Sequence, residues 1–310
     1  MDMYDAIIIG AGPAGLTAGL YTGRYRLKTL LLEKMTIGGQ IIMSTTIENF
    51  PGFPGGISTT ELIAKMEKQV REVGVEIENA EVNAIEFHYE GLSGNFRVKT
   101  PDKEFSAKSL IISSGAHWKR LGVPGEDKLV GKGVSFCATC DAPFFKNKEV
   151  VVVGGGDKAI EEAIFLTSYA AKVMIIHRRD QLRATEILQE KARSNPKISL
   201  ILDSVVEGVI GENKVEAVKV KNVVTGLSSP ISCQGLFIFI GIAPSTEFLK
   251  NKLATDDSGF IITDNKMKAS HDGVFACGDC RQKDLYQVIT ACGEGAQAAY
   301  SLHNYLLHKK

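Results

Sequence analysis

Apolar residues along this chain come in short unbroken runs, and two of those runs lead straight into a knot of glycine. Tyr4-Asp5-Ala6-Ile7-Ile8-Ile9 and Glu149-Val150-Val151-Val152-Val153 show no alternation within their apolar parts. That is the pattern of strands covered on both faces in a parallel sheet. After each glycine knot comes a helix-forming stretch, Ala/Leu-rich to about Arg24 in the first case and 161–169 in the second. Second strands are expected at 28–32 and 172–176, and another buried strand at 109–112. Residues 59–73 space their apolar positions as an amphipathic helix with a charged face, ended by Gly74, and 75–77 start a strand. Residues 81–88 and 95–100 alternate around Gly91 and Gly94-Asn95, which predicts a hairpin. Further on, 263–269 and 273–279 read as strand ending in Gly278-Asp279, and 291–300 as a helix of small residues. Strand and helix alternate twice over, so the chain is expected to be an α/β protein with an internal repeat of two Rossmann-like dinucleotide-binding units.

The glycine knots bring chemistry to that outline. Gly10-Ala11-Gly12-Pro13-Ala14-Gly15 is G-x-G-x-x-G between a strand and a helix. The glycines allow a tight turn and close phosphate approach, and the helix N-terminus favours the pyrophosphate. Glu33 ends the next strand, where an acid accepts from ribose hydroxyls and disfavours a 2′-phosphate. The second knot is Gly154-Gly155-Gly156-Asp157-Lys158-Ala159, with Glu161 in the helix behind it. Its following strand ends in His177-Arg178-Arg179-Asp180, with Arg183 beyond. A basic cluster thus replaces the acid. Guanidinium forks bind phosphate bidentately, so this site suits NADPH rather than NADH. The bland alternatives are a glycine turn with no nucleotide and a solvated run of charge.

Composition narrows the field. The 310 residues carry 36 Lys+Arg and 36 Asp+Glu, a net charge of zero, so nothing attracts nucleic acid or an anionic membrane. No apolar run approaches the length of a membrane span, and the acidic N-terminus lacks the basic region of a signal peptide. Six Cys in a chain this long do not make a disulfide scaffold, and a cytoplasmic location is expected. Two of the six stand in Cys137-Ala138-Thr139-Cys140-Asp141. Alone, C-x-x-C fits a zinc half-site, a redox pair or chance. Lying between two nucleotide signatures, it reads as a disulfide reduced through a flavin. A helix starting there would lower a thiol pKa, and Asp141 could shuttle a proton. Cys233, Cys277, Cys280 and Cys292 are expected to be structural. Trp118 is expected to pack or hinge.

At this point the motifs together resemble the bacterial-type (low molecular weight) thioredoxin reductases, a family of class-II pyridine nucleotide-disulfide oxidoreductases. The residues that carry the likeness are Gly10 to Gly15, Glu33, Gly38-Gly39-Gln40, Ile47-Glu48-Asn49-Phe50-Pro51-Gly52, the C-x-x-C, the His177-Arg178-Arg179 run with Arg183, and Cys277-Gly278-Asp279. The resemblance covers essentially the whole chain. It implies an FAD domain of 1–116 and 247–310, with three layers (ββα), into which an NADPH domain of 117–246 is inserted. It implies flavin contacts at Thr45, Asn49, Val82, Gly115, Gly278, Asp279, Gln287, Val288 and Ile289, with Asp279 on the ribitol chain. The helix after Gln287 would point its N-terminus at the flavin ring. In the family the second Cys faces the flavin and the first attacks thioredoxin, which makes Cys140 flavin-proximal, Cys137 the attacking thiol and Asp141 the acid/base. A homodimer is implied, with no resident metal. The chain departs from the family at Tyr286, where many members have Arg, and at Asp157, where many have Asn. Other readings are a reductase of a glutaredoxin-like or peroxiredoxin-linked dithiol protein, and a non-catalytic metal-binding or NADPH-sensing module, in which Cys137, Cys140, Cys277 and Cys280 could hold zinc.

Overall fold

A computed structural model describes residues 3–43, 46–88 and 95–308. The chain divides into two compact units, Met1–His117 with Ala243–Lys310, and Trp118–Ile242.

The first unit is built on a parallel sheet of five strands, in the order Val274–Ala276, Leu110–Ile112, Ala6–Ile9, Thr29–Glu33, Glu76–Asn79. Side chains alternate across a strand, so an unbroken apolar run feeds two cores at once. Ile8, Leu31, Ile111 and Phe275 face one core, shared with Leu16 and Ala18 of helix Pro13–Arg24, Leu62 of helix Thr59–Glu72 and Leu302 of helix Val288–His308. Ile7, Ile9, Leu30, Leu32, Leu110 and Ile112 face the other. That core is closed by Ile85, Phe96, Val98 and Ala107 from a second, four-stranded sheet. Its hairpin pairs Ala84–His88 antiparallel with Asn95–Lys99, and the turn around Gly91 and Gly94 lies outside the described residues.

The second unit repeats the plan. Its parallel sheet runs Val134–Ser135, Gly235–Ile238, Glu149–Val153, Lys172–Ile176, Ile198–Ile201. Val150, Val152, Val173 and Ile175 pack with Ile160, Ala163 and Leu166 of helix Asp157–Leu166. Val151, Met174 and Ile176 pack with Val206, Val209, Val218 and Val220 of a three-stranded antiparallel sheet. Each unit is therefore helices, parallel sheet and second sheet in three layers.

Three elements differ from the sequence reading, each for a local reason. Residues 263–269 form no strand. Asp264 Oδ1 accepts the N–H groups of Lys266 (2.8 Å) and Lys268 (2.9 Å), Met267 takes φ +62°, and only one isolated bridge joins Lys268 to Phe275. The helix expected at 161–169 spans Asp157–Leu166 instead, because Gly156 starts it and Thr167 ends it with its hydroxyl on Ile164 O at 2.6 Å. The last helix runs from Val288 to His308, well beyond 291–300, since its Gly and Ala residues sit buried against another helix rather than breaking it.

Candidate active site

In the first unit the glycine turn leaves the Ala6–Ile9 strand and enters a helix with Gly12 at its N-cap and Pro13 in its first turn. Only glycine fits at two of the turn positions. A Cβ on Gly10 (φ +104°) would meet Ser113 O at 2.4 Å, and one on Gly15 would strike the Gly10 carbonyl. Gly12 is different: its missing Cβ faces only Gly38 O at 3.9 Å, which leaves room above the helix N-terminus. Gly38 N–H donates to Ala11 O (2.9 Å) and brings Gly38, Gly39 and Gln40 against the turn. Glu33 is partly committed to the backbone. Its Oε2 accepts from Ala11 N–H at 2.7 Å and its Oε1 from Met35 N–H at 3.1 Å, so it buttresses the turn as well as ending the strand. Asn49 and Gln287, 238 positions apart, meet through a 2.8 Å hydrogen bond from Asn49 Nδ2. Gly115 (φ +72°) has nothing within 4 Å of where a Cβ would lie. Val82 is buried in the core between the two sheets. Thr45 lies outside the described residues.

The Val274–Ala276 strand runs into the turn Gly278–Cys280. Gly278 has φ +76°, and a Cβ on it would stand 2.8 Å from Ala14 Cβ, so the turn is pressed onto the start of the first helix. Glu294 Oε2 accepts from Gly278 N–H (2.7 Å), and Glu294 Oε1 accepts from Arg281 (2.9 Å), whose Nε donates to Thr263 Oγ1. Glu294, Arg281 and Lys283 escaped the sequence reading. The available signal was an acid enclosed by Gly293 and Gly295 in a helix of small residues. Val288 and Ile289 begin that helix. Thus the ends of four neighbouring parallel strands converge with Asp279 and the 287–289 segment, where nucleotide sites of this architecture lie. Tyr286 packs its ring 5.9 Å from Phe260, and burial beside Asp279 and Asp256 pushes its hydroxyl up to about 12.

In the second unit, a Cβ on Gly154 would meet Phe239 O at 2.5 Å and Ala159 Cβ at 2.6 Å, which explains the small residue at 159. A Cβ on Gly155 would run into the His177 ring. His177 is only 6% exposed. Burial, then the Arg183 and Arg179 charges, lower its pKa, so it lies under the turn as a neutral ring. The arginine loop is strapped to the same turn. Arg183 and Ala184 N–H both donate to Gly155 O (2.6 and 3.0 Å), and Thr185 N–H donates to Asp157 Oδ1 (2.6 Å). Asp157 therefore holds the loop. Arg178, Arg179 and Arg183 are exposed, and among the described residues no acid pairs with them. Gly156 has open space at its Cβ position, and Glu161 is exposed on the helix behind it.

Cys137 and Cys140 are joined in a disulfide, with S–S 2.07 Å and Cα–Cα 5.4 Å. The expected helix is a single turn, Ala138–Asp141, capped by Cys137 and followed by the 3₁₀ turn Ala142–Phe145. A macrodipole needs length, so any help to a thiolate comes from local groups instead. Thr139 Oγ1 lies 3.4 Å from Cys137 Sγ, and Ser135 Oγ accepts from Cys137 N–H at 3.2 Å. Ala138 and Ala142 are fully buried and anchor the turn, while both cysteines and Asp141 stay half-buried. The other thiols are of another kind. Burial pushes Cys233 up to about 12, Cys280 to about 11 and Cys277 well above its ordinary value, and it raises Cys292. Cys280 Sγ donates to Ile112 O and Cys277 O. Among the described residues, no three His, Cys, Asp or Glu side chains are grouped to hold a metal.

The chain matches the family model described as pyridine nucleotide-disulphide oxidoreductase over residues 4–295. It is 44% identical to a thioredoxin reductase of Peptoclostridium acidaminophilum, covering 98% of each chain. It is also 44% identical to the thioredoxin reductase of Bacillus subtilis (strain 168), over 98% of this chain and 95% of that one. Among solved structures, thioredoxin reductase from Streptococcus pyogenes superposes with a TM-score of 0.92 at 45% identity, covering 99% of both chains.

Proposed function

The chain belongs to the pyridine nucleotide-disulphide oxidoreductase family and, within it, with the thioredoxin reductases; on that premise we propose that it reduces thioredoxin with NADPH through FAD. One observation carries the reading: a half-buried Cys137–Cys140 disulfide in a chain with two differently charged dinucleotide turns. The residues of the first unit fit a flavin nucleotide. Gly12 and Gly115 leave room for it, a 12-residue helix points its N-terminus there, and Asp279 keeps a partly exposed carboxylate. Those of the second unit fit a 2′-phosphate, because Arg178, Arg179 and Arg183 offer donors that no acid among the described residues engages. Bound FAD would supply the passage of two electrons from the NADPH hydride to the disulfide.

Everything after that passage belongs to the chain's own sulfurs. With the disulfide opened, Cys137 as thiolate attacks one sulfur of the thioredoxin disulfide. That S–S bond breaks, and the departing thioredoxin sulfur takes a proton. Cys140 then attacks Cys137 Sγ, expels the second thioredoxin sulfur and closes the 137–140 bond again. Two electrons have moved from one dithiol to the other. Asp141, one residue past Cys140 in the sequence, is the acid/base of this proposal. A cytoplasmic homodimer is part of the same proposal. No described helix is long and apolar enough to cross a membrane.

The test is turnover with purified proteins. The expected result is a flavin spectrum in the isolated protein and NADPH oxidation that requires thioredoxin and disappears in both Cys137→Ser and Cys140→Ser. Turnover with a glutaredoxin-like or peroxiredoxin-linked protein and none with thioredoxin would move the partner. Turnover surviving in either serine variant would overturn the mechanism.

A further inference from the structure

Four charges lie together behind the Gly278–Cys280 turn: Asp279, Arg281, Lys283 and Glu294. Arg281 and Glu294 already have work, since together they hold the turn through Gly278 N–H and Thr263. Lys283 does not. Its side chain is 6% exposed, yet among the described residues its Nζ makes no hydrogen bond of proper geometry. Nζ stands 2.8 Å from Asp279 Oδ1 and 3.6 Å from Glu294 Oε2, with the Tyr286 ring centroid 5.3 Å away. Burying an ammonium group is costly unless opposite charge surrounds it. A lysine in such a place, joined to a surface-facing acid, is suited to fixing that acid.

Asp279 is the acid in question. Its Oδ1 is buried and also lacks a hydrogen bond of proper geometry, so the pair is held by charge at close range. The Asp279 side chain as a whole is 31% exposed, which leaves part of the carboxylate open. The rigid turn fixes the Asp279 backbone. Lys283 fixes which way the carboxylate turns at the edge of the site.

We propose that Lys283 is the positioning residue of the flavin site: by pairing with Asp279 Oδ1 it aims the rest of that carboxylate to accept a hydroxyl from the cofactor's polyol chain. The inference rests on the flavin reading above. A charge-assisted hydrogen bond that depends on this aim contributes about tenfold or more to affinity.

The experiment is a double-mutant cycle on FAD affinity, read by quenching of flavin fluorescence on adding the cofactor-stripped full chain. Lys283→Met is expected to weaken FAD binding about tenfold or more, and Lys283→Arg, which keeps the charge, to recover most of the loss. In an Asp279→Asn background the Lys283→Met effect is expected to fall below twofold, because the aimed carboxylate is gone. If Lys283→Met fails to fold, Lys283→Gln takes its place under the same threshold. Unchanged FAD affinity in the folded Met or Gln variant overturns the inference. So does a full-sized loss that persists in Asp279→Asn, since Lys283 would then act on the cofactor without Asp279. Wild-type protein that binds no FAD overturns the flavin reading instead.

Discussion

Replacing Arg178 and Arg179 by Ala is expected to convert an NADPH-preferring enzyme into one that no longer distinguishes the two nicotinamide cofactors. The size of the effect follows from the second unit. No ion pair has to break before either guanidinium meets a phosphate, because among the described residues none exists. The loop needs little ordering on binding, since it is already strapped to Gly155 O and Asp157. Both side chains are exposed, which places each contact at the lower end of the charge-assisted range, about 1.5 kcal/mol. Two such contacts give about 3 kcal/mol, or on the order of a hundredfold in kcat/KM for NADPH. NADH, which lacks the 2′-phosphate, is expected to stay within about twofold on the same reasoning. The assay is steady-state thioredoxin reduction with each cofactor at two ionic strengths. The NADPH advantage should shrink with salt in the wild type, as expected for exposed charges. Equal losses with NADPH and NADH, or an NADPH loss below about fivefold, would refute the reasoning, because both outcomes mean that the arginines do not read the 2′-phosphate.

Cys140→Ser should trap a stable mixed disulfide between Cys137 and a thioredoxin lacking its resolving Cys, visible on a non-reducing gel, while Cys137→Ser should trap none; the reverse pattern would exchange the two roles. After reduction, native protein should be alkylated rapidly at Cys137 and Cys140, more slowly at Cys292, and at Cys233, Cys277 and Cys280 only on unfolding, as read by mass spectrometry; fast native labelling of Cys280 would contradict its burial. His177 titrates lower in the folded protein than unfolded, so the unfolded chain takes its proton first. Its stabilisation is complete above the unfolded value of about 6.5 and is lost as pH falls from there through the folded value. Accordingly, the fall in Tm between about pH 7.5 and 5.5 should be steeper in the wild type than in His177→Gln, and parallel curves would refute this.

The parallel strands were legible because their residues contact two cores, and only a run such as Ile7-Ile8-Ile9 serves both. The glycine turns were legible because Gly10, Gly15 and Gly154 stand where backbone or neighbouring atoms occupy the Cβ position. What escaped was decided by contacts between distant segments. Glu294 meets Gly278 and Asn49 meets Gln287 only once the sheet is assembled, and no local pattern records either pairing. Length misled at Cys137, where a helix start was expected and the chain makes one turn. The run of charge did not record that His177 turns inward beneath Gly155 while its two arginine neighbours stay exposed.

The provenance of the outermost parallel strands has a consequence for how the polypeptide is made. In the second unit that strand, Val134–Ser135, precedes the glycine strand in the chain; in the first, Val274–Ala276 arrives after the entire second unit. Leu110 has to wait for Val274, 164 positions further on, before its second edge is paired. The second unit has its two ends side by side, with Lys119 N–H on Gly241 O at 3.0 Å, so once it folds it subtracts itself from that loop. About 40 residues then remain to be closed, which lowers the entropic cost by about 1 kcal/mol. On the ribosome the second unit can therefore mature first, as a closed bead on an unfinished strand. The first unit is completed only when the segment bearing Gly278, Asp279 and Lys283 emerges, so on the flavin reading proposed above cofactor acquisition is a step that synthesis itself defers to the end.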